Sequence, residues 1–187
     1  MRQSLCTITS NAEIMPGVQL MWVKAPDIAT SAQPGQFITV RCEDFILRRP
    51  FSIHQVVIAS EAKQSQVALL FQVVGKGTLW LSQRQIGDKI DILGPLGKGF
   101  SIPSVIARRP ECQRRNLPRQ SRNLLLVAGG IGIAPLIFLA QRAPPQYQVT
   151  LIHGASTTRE LYPFSLATSK KRNNLSPLLN KVRFIPV

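Results

Sequence analysis

The chain has 187 residues, enough for one large domain or two small ones, and 44% hydrophobic content is ordinary for a soluble folded protein. Its net charge of +14 is regional, +3 over residues 1–100, +5 over 101–123 and +6 over 124–187, which argues against a basic surface spread along the whole chain. Cys6, Cys42 and Cys112 are too few and too scattered for a disulfide framework or a metal site, and no secretory or transit signal is evident at the start, so the cytoplasm is expected.

The first hundred residues read as short alternating or apolar runs separated by Pro and Gly. The expected strands are "SLCTITSNAEI", "VQLMWVKA", "GQFITVRC", "RPFSIHQV", "QVALLFQVV" and "KIDILGP", with one helix at "GTLWLSQRQ". Six such strands predict a small closed barrel or sandwich. "VIASEAKQSQ" (57–66) reads as an insertion that lengthens a hairpin, and "VIARRPECQRRNLPRQSRN" (105–123) as one that lengthens a link. The second segment is rich in Arg and Pro without an aromatic residue to stack on bases, so a basic linker is favoured over a polyanion-binding surface.

From Leu124 the pattern changes to strand, turn, helix, strand ("QVTLIHGA"), helix ("RELYPFSLATS") and strand ("KVRFIPV"), which predicts a parallel sheet with covering helices. Seventeen residues, 124–140, carry no charged or hydrogen-bonding side chain, close to the shortest membrane span. Gly129, Gly130, Gly132 and Pro135 would break such a helix at its centre. A strand "LLLVA", a turn "GGIGI" and a helix "APLIFLAQR" with Pro135 in its first turn fit better. His54 and His153 both fall in strand-like runs and read as satisfied structural histidines.

Four segments carry candidate chemistry. "LRRPFSIH" sets Arg49, Pro50, Phe51 and Ser52 on a strand, where Pro50 removes a ladder donor and lets the backbone face a ligand; the plain alternative is a solvated Arg pair beside an edge proline. "VVGKGTLWLSQ" places Gly75, Lys76, Gly77 and Thr78 directly before a helix, a setting that suits a pyrophosphate or a simple Thr-capped turn. "GPLGKGF" either covers a planar ligand or ends a domain. "VAGGIGIAP" follows a strand but departs from G-x-G-x-x-G, because Pro135 stands where the third glycine belongs.

In this order the four segments resemble the ferredoxin-NADP reductase superfamily, with Arg-x-x-Ser at residues 49–52 and Gly-Gly-x-Gly-x-Ala-Pro at 129–135. Within it, "ILRRPFSIHQV", "GKGTLWL", "GDKIDILGPLGKGF", "LLLVAGGIGIAPLIFLA" and "HGASTTRELY" are most similar to the electron-transfer subunits of type B dihydroorotate dehydrogenase. The resemblance implies an antiparallel FAD-binding β-barrel over 1–100, a basic Arg-rich link over 101–123, and a small, incomplete parallel α/β NAD(P)-binding domain over 124–187. It implies that Arg49 binds the FAD pyrophosphate and that Ser52, the catalytic position, hydrogen-bonds near the flavin N5 and O4. Gly75, Lys76, Gly77 and Thr78 would hold the remaining phosphate oxygens. Gly129, Gly130, Gly132 and Pro135 would shape the nicotinamide-side turn, and Gly154, Ala155, Ser156 and Glu160 match the second loop of the nucleotide domain. The implied cofactors are FAD and NAD(H), with hydride passing from NADH to flavin. Single electrons then pass through a [2Fe-2S] cluster to a separate catalytic subunit that oxidises dihydroorotate in pyrimidine biosynthesis.

One departure stands out. The family's cluster is held by four closely spaced cysteines near the C-terminus, and this chain ends at "KVRFIPV" without them; Cys6, Cys42 and Cys112 cannot replace them by spacing. The expectation is a truncated relative with no metal site of its own and impaired delivery of single electrons. Two other readings stay open: another NAD(P)H-flavin reductase of the same superfamily, and a non-catalytic basic binding module. Neither a specific nucleic acid nor a membrane is expected as partner.

Overall fold

Apolar side chains on alternate residues give each early strand one inward face, and closing the sheet gives those faces a common core. In the computed structural model, which describes residues 2–42, 46–61, 64–101, 122–163 and 182–187, β1 (Arg2–Met15), β2 (Val18–Lys24), β3 (Phe37–Arg41), β4 (Arg49–Val57), β5 (Gln66–Gln72) and β6 (Lys89–Leu96) form a closed antiparallel barrel in the order β1-β2-β5-β4-β3-β6. The six strands are those expected. The helix α2 (Lys76–Ser82) lies where "GTLWLSQRQ" placed it, one residue earlier and three residues shorter at its end. A short helix not expected, α1 (Pro26–Ser31), starts with a proline whose missing amide hydrogen is harmless in a first turn, followed by Asp27 at the positive end.

The run "VALLF" in β5 is apolar on both faces because two cores meet there. Val67, Leu69 and Phe71 point into the barrel with Ile38, Ile53 and Ile92, while Ala68 and Leu70 point outward onto Leu126, Ala128, Ile133 and Ile137. Leu69 and Leu70 are 0% and 3% exposed, so each contributes about 2 kcal/mol of transfer free energy, one to each core.

The later part is a three-stranded parallel sheet, β7 (Arg122–Gly129), β8 (Tyr147–Gly154) and β9 (Val182–Pro186), in that order. Between β7 and β8 run a 3-10 turn, Gly130–Gly132, and the helix α3 (Ile133–Arg142). This is the expected strand, turn and helix, with β7 starting two residues before Leu124. Among the described residues no helix is long and apolar enough to cross a membrane. The face of β7 away from α3 leaves Leu125 and Val127 exposed.

The helix expected over residues 159–169 is corrected at its start. Thr158–Glu160 form a single 3-10 turn, and Leu161 is extended, with φ −69° and ψ 133°. Pro163 disfavours the helical region for the residue before it, Tyr162, which leaves no room for a helix to run on from Arg159. Residues 164–181 lie outside the described residues, as do 102–121, which include most of the expected basic link and Cys112. The 57–66 segment does join the paired strands β4 and β5.

A bulge in β4 positions the site. Opposite β5 the register runs Ile53 to Leu69 and then Gln55 to Ala68, so His54 is an extra residue on the β4 side. Phe51 and Ile53 face the barrel core, so ordinary alternation points His54 outward, and the extra residue brings Val56 rather than Gln55 back to the core.

Candidate functional site

The motif 49–52 begins β4 where the strand pairs only with β3. Val40 faces Arg49, Thr39 faces Pro50 and Phe37 faces Ser52, whereas pairing with β5 starts at Ile53. The side toward β5 is therefore an edge, which is where a proline fits a sheet and where backbone stays open to a ligand. Phe51 anchors the motif inward, its ring centroid 5.4 Å from that of Phe71. Ser52 sits half-buried on the outer side.

The two adjacent arginines diverge. Arg48 Nη2 donates to Asp91 Oδ2 on β6 at 2.6 Å, an ion pair whose side chains are only 22% and 19% exposed. Arg49 instead turns to the start of α2, where its Nε stands 3.1 Å from the point a β-carbon on residue 77 would occupy. That point is also 3.6 Å from Cys42 Cβ, so only glycine leaves the arginine its place. Burial holds the Cys42 thiol above its ordinary pKa, against the pull of the Arg49 charge.

Thr78 Oγ1 accepts from the amides of Val74 at 3.0 Å and Gly75 at 3.1 Å, and donates to Gly75 O at 3.0 Å. Gly75 is the N-cap of α2 and Thr78 its third residue, whose hydroxyl ties the loop rather than lying open. The first bond within α2 runs from Leu79 N to Gly75 O at 2.8 Å, so the amides of Lys76, Gly77 and Thr78 precede it, at the helix's positive end. The loop 75–78 and Arg49 make one cationic corner with Lys76 exposed beside it.

At the end of the barrel sequence, Phe100 closes onto the Pro34–Gly35 turn. Its amide donates to Pro34 O at 2.7 Å, and its ring lies against Gly35, where a β-carbon would meet Cγ at 2.8 Å.

The glycine turn stands open. Gly129, Gly130, Ile131 and Gly132 are exposed, and a β-carbon added at any of the three glycines meets nothing within 4 Å. Gly130 has φ +48°, a conformation that L side chains adopt at a cost. Pro135 lies in the first turn of α3 as expected. Gly154 ends β8 opposite Gly129, Ser156 and Glu160 are exposed beyond it, and the Ala155 amide donates to Val187 O at 3.3 Å.

Two histidines hold this turn, and Tyr162, which the sequence reading did not single out, joins them. The Tyr162 amide donates to His153 Nδ1 at 3.3 Å, so His153 carries its proton on Nε2 and donates to Gly130 O at 2.9 Å. His54 Nδ1 donates to Ala134 O at 2.9 Å, and its Nε2, 3.0 Å away, accepts from the Tyr162 hydroxyl. His54 is fully buried, and burial lowers its pKa to about 4; burial also pushes the Tyr162 hydroxyl up, so it stays protonated and able to donate. The sequence reading of both histidines as satisfied and structural is correct in chemistry, and their partners place them between the barrel and the turn.

The chain is similar to proteins of known kind. No family model matches the chain. It is 43% identical over 152 residues to the electron transfer subunit of dihydroorotate dehydrogenase B (NAD(+)) from Desulforamulus reducens, covering 79% of this chain and 51% of that protein. Over the residues matched, the chain is a homologue of such electron-transfer subunits. The subunit of the same name from Fusobacterium nucleatum is 31% identical over 140 residues, covering 73% of this chain and 48% of that protein. The chain thus spans about half the length of the curated electron-transfer subunits it matches. Among solved structures, an NADH-dependent reduced ferredoxin-NADP oxidoreductase superposes with TM-score 0.71 at 25% identity, over 98% of this chain and 56% of that one. Phthalate dioxygenase reductase superposes with TM-score 0.63 at 18% identity, over 97% and 51%, and shows the same fold.

The described residues differ in how well they fit the groups such subunits imply. The Arg49–Gly77 corner and the open glycine turn suit a dinucleotide phosphate and a close-lying nicotinamide. A cluster finds no match: Cys6 is buried in β1 with its thiol pushed up to about 11 by burial and then by Asp91, Cys42 is buried after β3, and no three His, Cys, Asp or Glu converge among the described residues.

Proposed function

We propose that the chain is the flavin-binding part of an electron-transfer subunit, passing electrons from NADH by way of FAD toward a dihydroorotate dehydrogenase catalytic subunit. One observation carries the reading: a single strand, β4, bears Arg49 and Ser52 and, two residues on, His54 bonded to Ala134 of the glycine turn. The flavin-side and nicotinamide-side motifs are thereby fixed to one rigid element.

In this reading Arg49 and the first amides of α2 neutralise the FAD diphosphate, a charge-assisted contact worth about 1.5 to 3 kcal/mol. Gly77 keeps that arginine close, and Lys76 adds charge. Ser52 donates its hydroxyl toward the flavin N5 and O4 edge. The glycines at 129, 130 and 132 let backbone approach the nicotinamide half of NADH, and Ser156 and Glu160 meet its other half. Bound FAD supplies two-electron acceptance from a nicotinamide and one-electron release to an acceptor. The residues' share is orientation and charge.

The test is uptake of FAD by the purified chain, followed by anaerobic mixing with NADH. Loss of visible flavin absorbance supports the reading, and a chain that takes up no flavin contradicts it.

A further inference from the structure

His54 points outward from β4 by alternation after Ile53, at the bulge that leaves it without a partner on β5, and a neutral imidazole can bond a carbonyl and a hydroxyl at once. On one side His54 meets Ala134 O of the turn; on the other it meets the Tyr162 hydroxyl, and the Tyr162 backbone meets His153, which holds Gly130 O. The chain of bonds leaves β4 and returns to the turn 129–135 at two carbonyls four residues apart. All three residues are buried, with His54 and His153 at 0% and Tyr162 at 2% exposure. Each polar contact is therefore made in a medium where leaving it unmade is costly.

We infer that His54, through Ala134 and through Tyr162 with His153, is a positioning residue that sets the nicotinamide-side turn at a fixed distance from the flavin-side strand. This deepens the proposed function and rests on it for its catalytic meaning. The geometry itself does not. Packing of α3, chiefly along β4 and to a lesser extent on β5, holds the two parts together but is non-directional, and it tolerates sliding. Two hydrogen bonds to carbonyls at either end of the turn do not. Hydride transfer needs reacting atoms within a narrow range, and a misplacement of about 1 Å costs on the order of a hundredfold. Ser52, two residues before His54 on the same strand, shares the same reference frame.

Three variants of the full chain test this: His54→Leu, which removes both bonds; His54→Asn, whose amide Nδ2–H takes the place of the ring Nδ1–H toward Ala134; and Tyr162→Phe. Amide hydrogen exchange, read by mass spectrometry on peptides spanning 129–137, needs no cofactor. Exchange there should rise about tenfold in His54→Leu, return toward the parent in His54→Asn, and rise less in Tyr162→Phe, with peptides of β1 and β6 unchanged. In FAD-loaded protein the same order should appear in the rate of flavin reduction by NADH, down about tenfold in His54→Leu at unchanged flavin content. Parent-like exchange of the turn in a folded His54→Leu chain overturns the inference, as does an equal rise in β1 and β6. Should that variant not fold, parent-like exchange in Tyr162→Phe overturns it instead. A parent chain that takes up no FAD contradicts the functional reading, and exchange alone then decides this one.

Discussion

Arg49 rests on Gly77: its Nε lies 3.1 Å, and its Cγ 3.4 Å, from where a β-carbon at position 77 would stand. The contact joins two segments 28 positions apart that separately resemble phosphate-binding elements. It also makes their roles separable by mutation.

Gly77→Ala should move stability and affinity in opposite directions. Residue 77 lies inside α2, where alanine gains up to about 1 kcal/mol over glycine in helix propensity. Its methyl pushes Arg49 by a few tenths of an ångström, so FAD affinity should fall by about three- to tenfold, which is roughly 1 kcal/mol. Thermal melting and flavin titration on the same protein check both halves.

Arg49→Ala should weaken FAD by tens of fold, consistent with a charge-assisted contact worth about 1.5 to 3 kcal/mol. FMN, with one phosphate, should lose less. Fluorescence titration of both flavins against parent and variant compares them, and equal FAD affinity in the two proteins would remove Arg49 from the site.

Gly129→Ala isolates the ligand side of the turn. Position 129 has an ordinary φ of −110°, and a methyl there meets no protein atom within 4 Å. Melting should be unchanged within about 0.5 kcal/mol, as for unstrained surface changes. The KM for NADH should rise severalfold, because the methyl occupies space that the dinucleotide needs. Gly130→Ala, at φ +48°, should by contrast cost about 1 kcal/mol of stability as well.

Acid should loosen the contact at His54. Its pKa is lowered from 6.5 to about 4 in the folded chain, so between those values the unfolded chain binds a proton that the folded one excludes. The stabilisation is complete above pH 6.5 and declines as pH falls toward 4, a loss on the order of 3 kcal/mol. Urea melts across that window should show stability rising with pH, and His54→Gln should flatten the slope.

The barrel and the strand-turn-helix after it were legible because period-two alternation, Gly and Pro are local signals. "QVALLFQVV" was legible as a strand, but not that Ala68 and Leu70 on its outer face pack against a second core. The pair Arg48-Arg49 could not be resolved from composition: which arginine meets Asp91 and which meets Gly77 depends on strand phase and on β6 lying just beyond β3 in the barrel. The expected helix at "RELYPF" overlooked Pro163, which disfavours a helical Tyr162 and so leaves no room for a helix from Arg159. Tyr162 passed unnoticed for the same reason. His54 looked structural, and its outward direction follows from alternation after Phe51 and Ile53, whereas the bulge beside it and the turn it meets depend on pairing that no local pattern announces.

The most direct measurement is an anaerobic titration of the FAD-reconstituted full chain with NADH, followed by visible absorbance. The account predicts close to one flavin per chain and loss of the flavin absorbance as NADH is added. A chain that holds no FAD, or whose bound FAD stays oxidised under excess NADH, would contradict it.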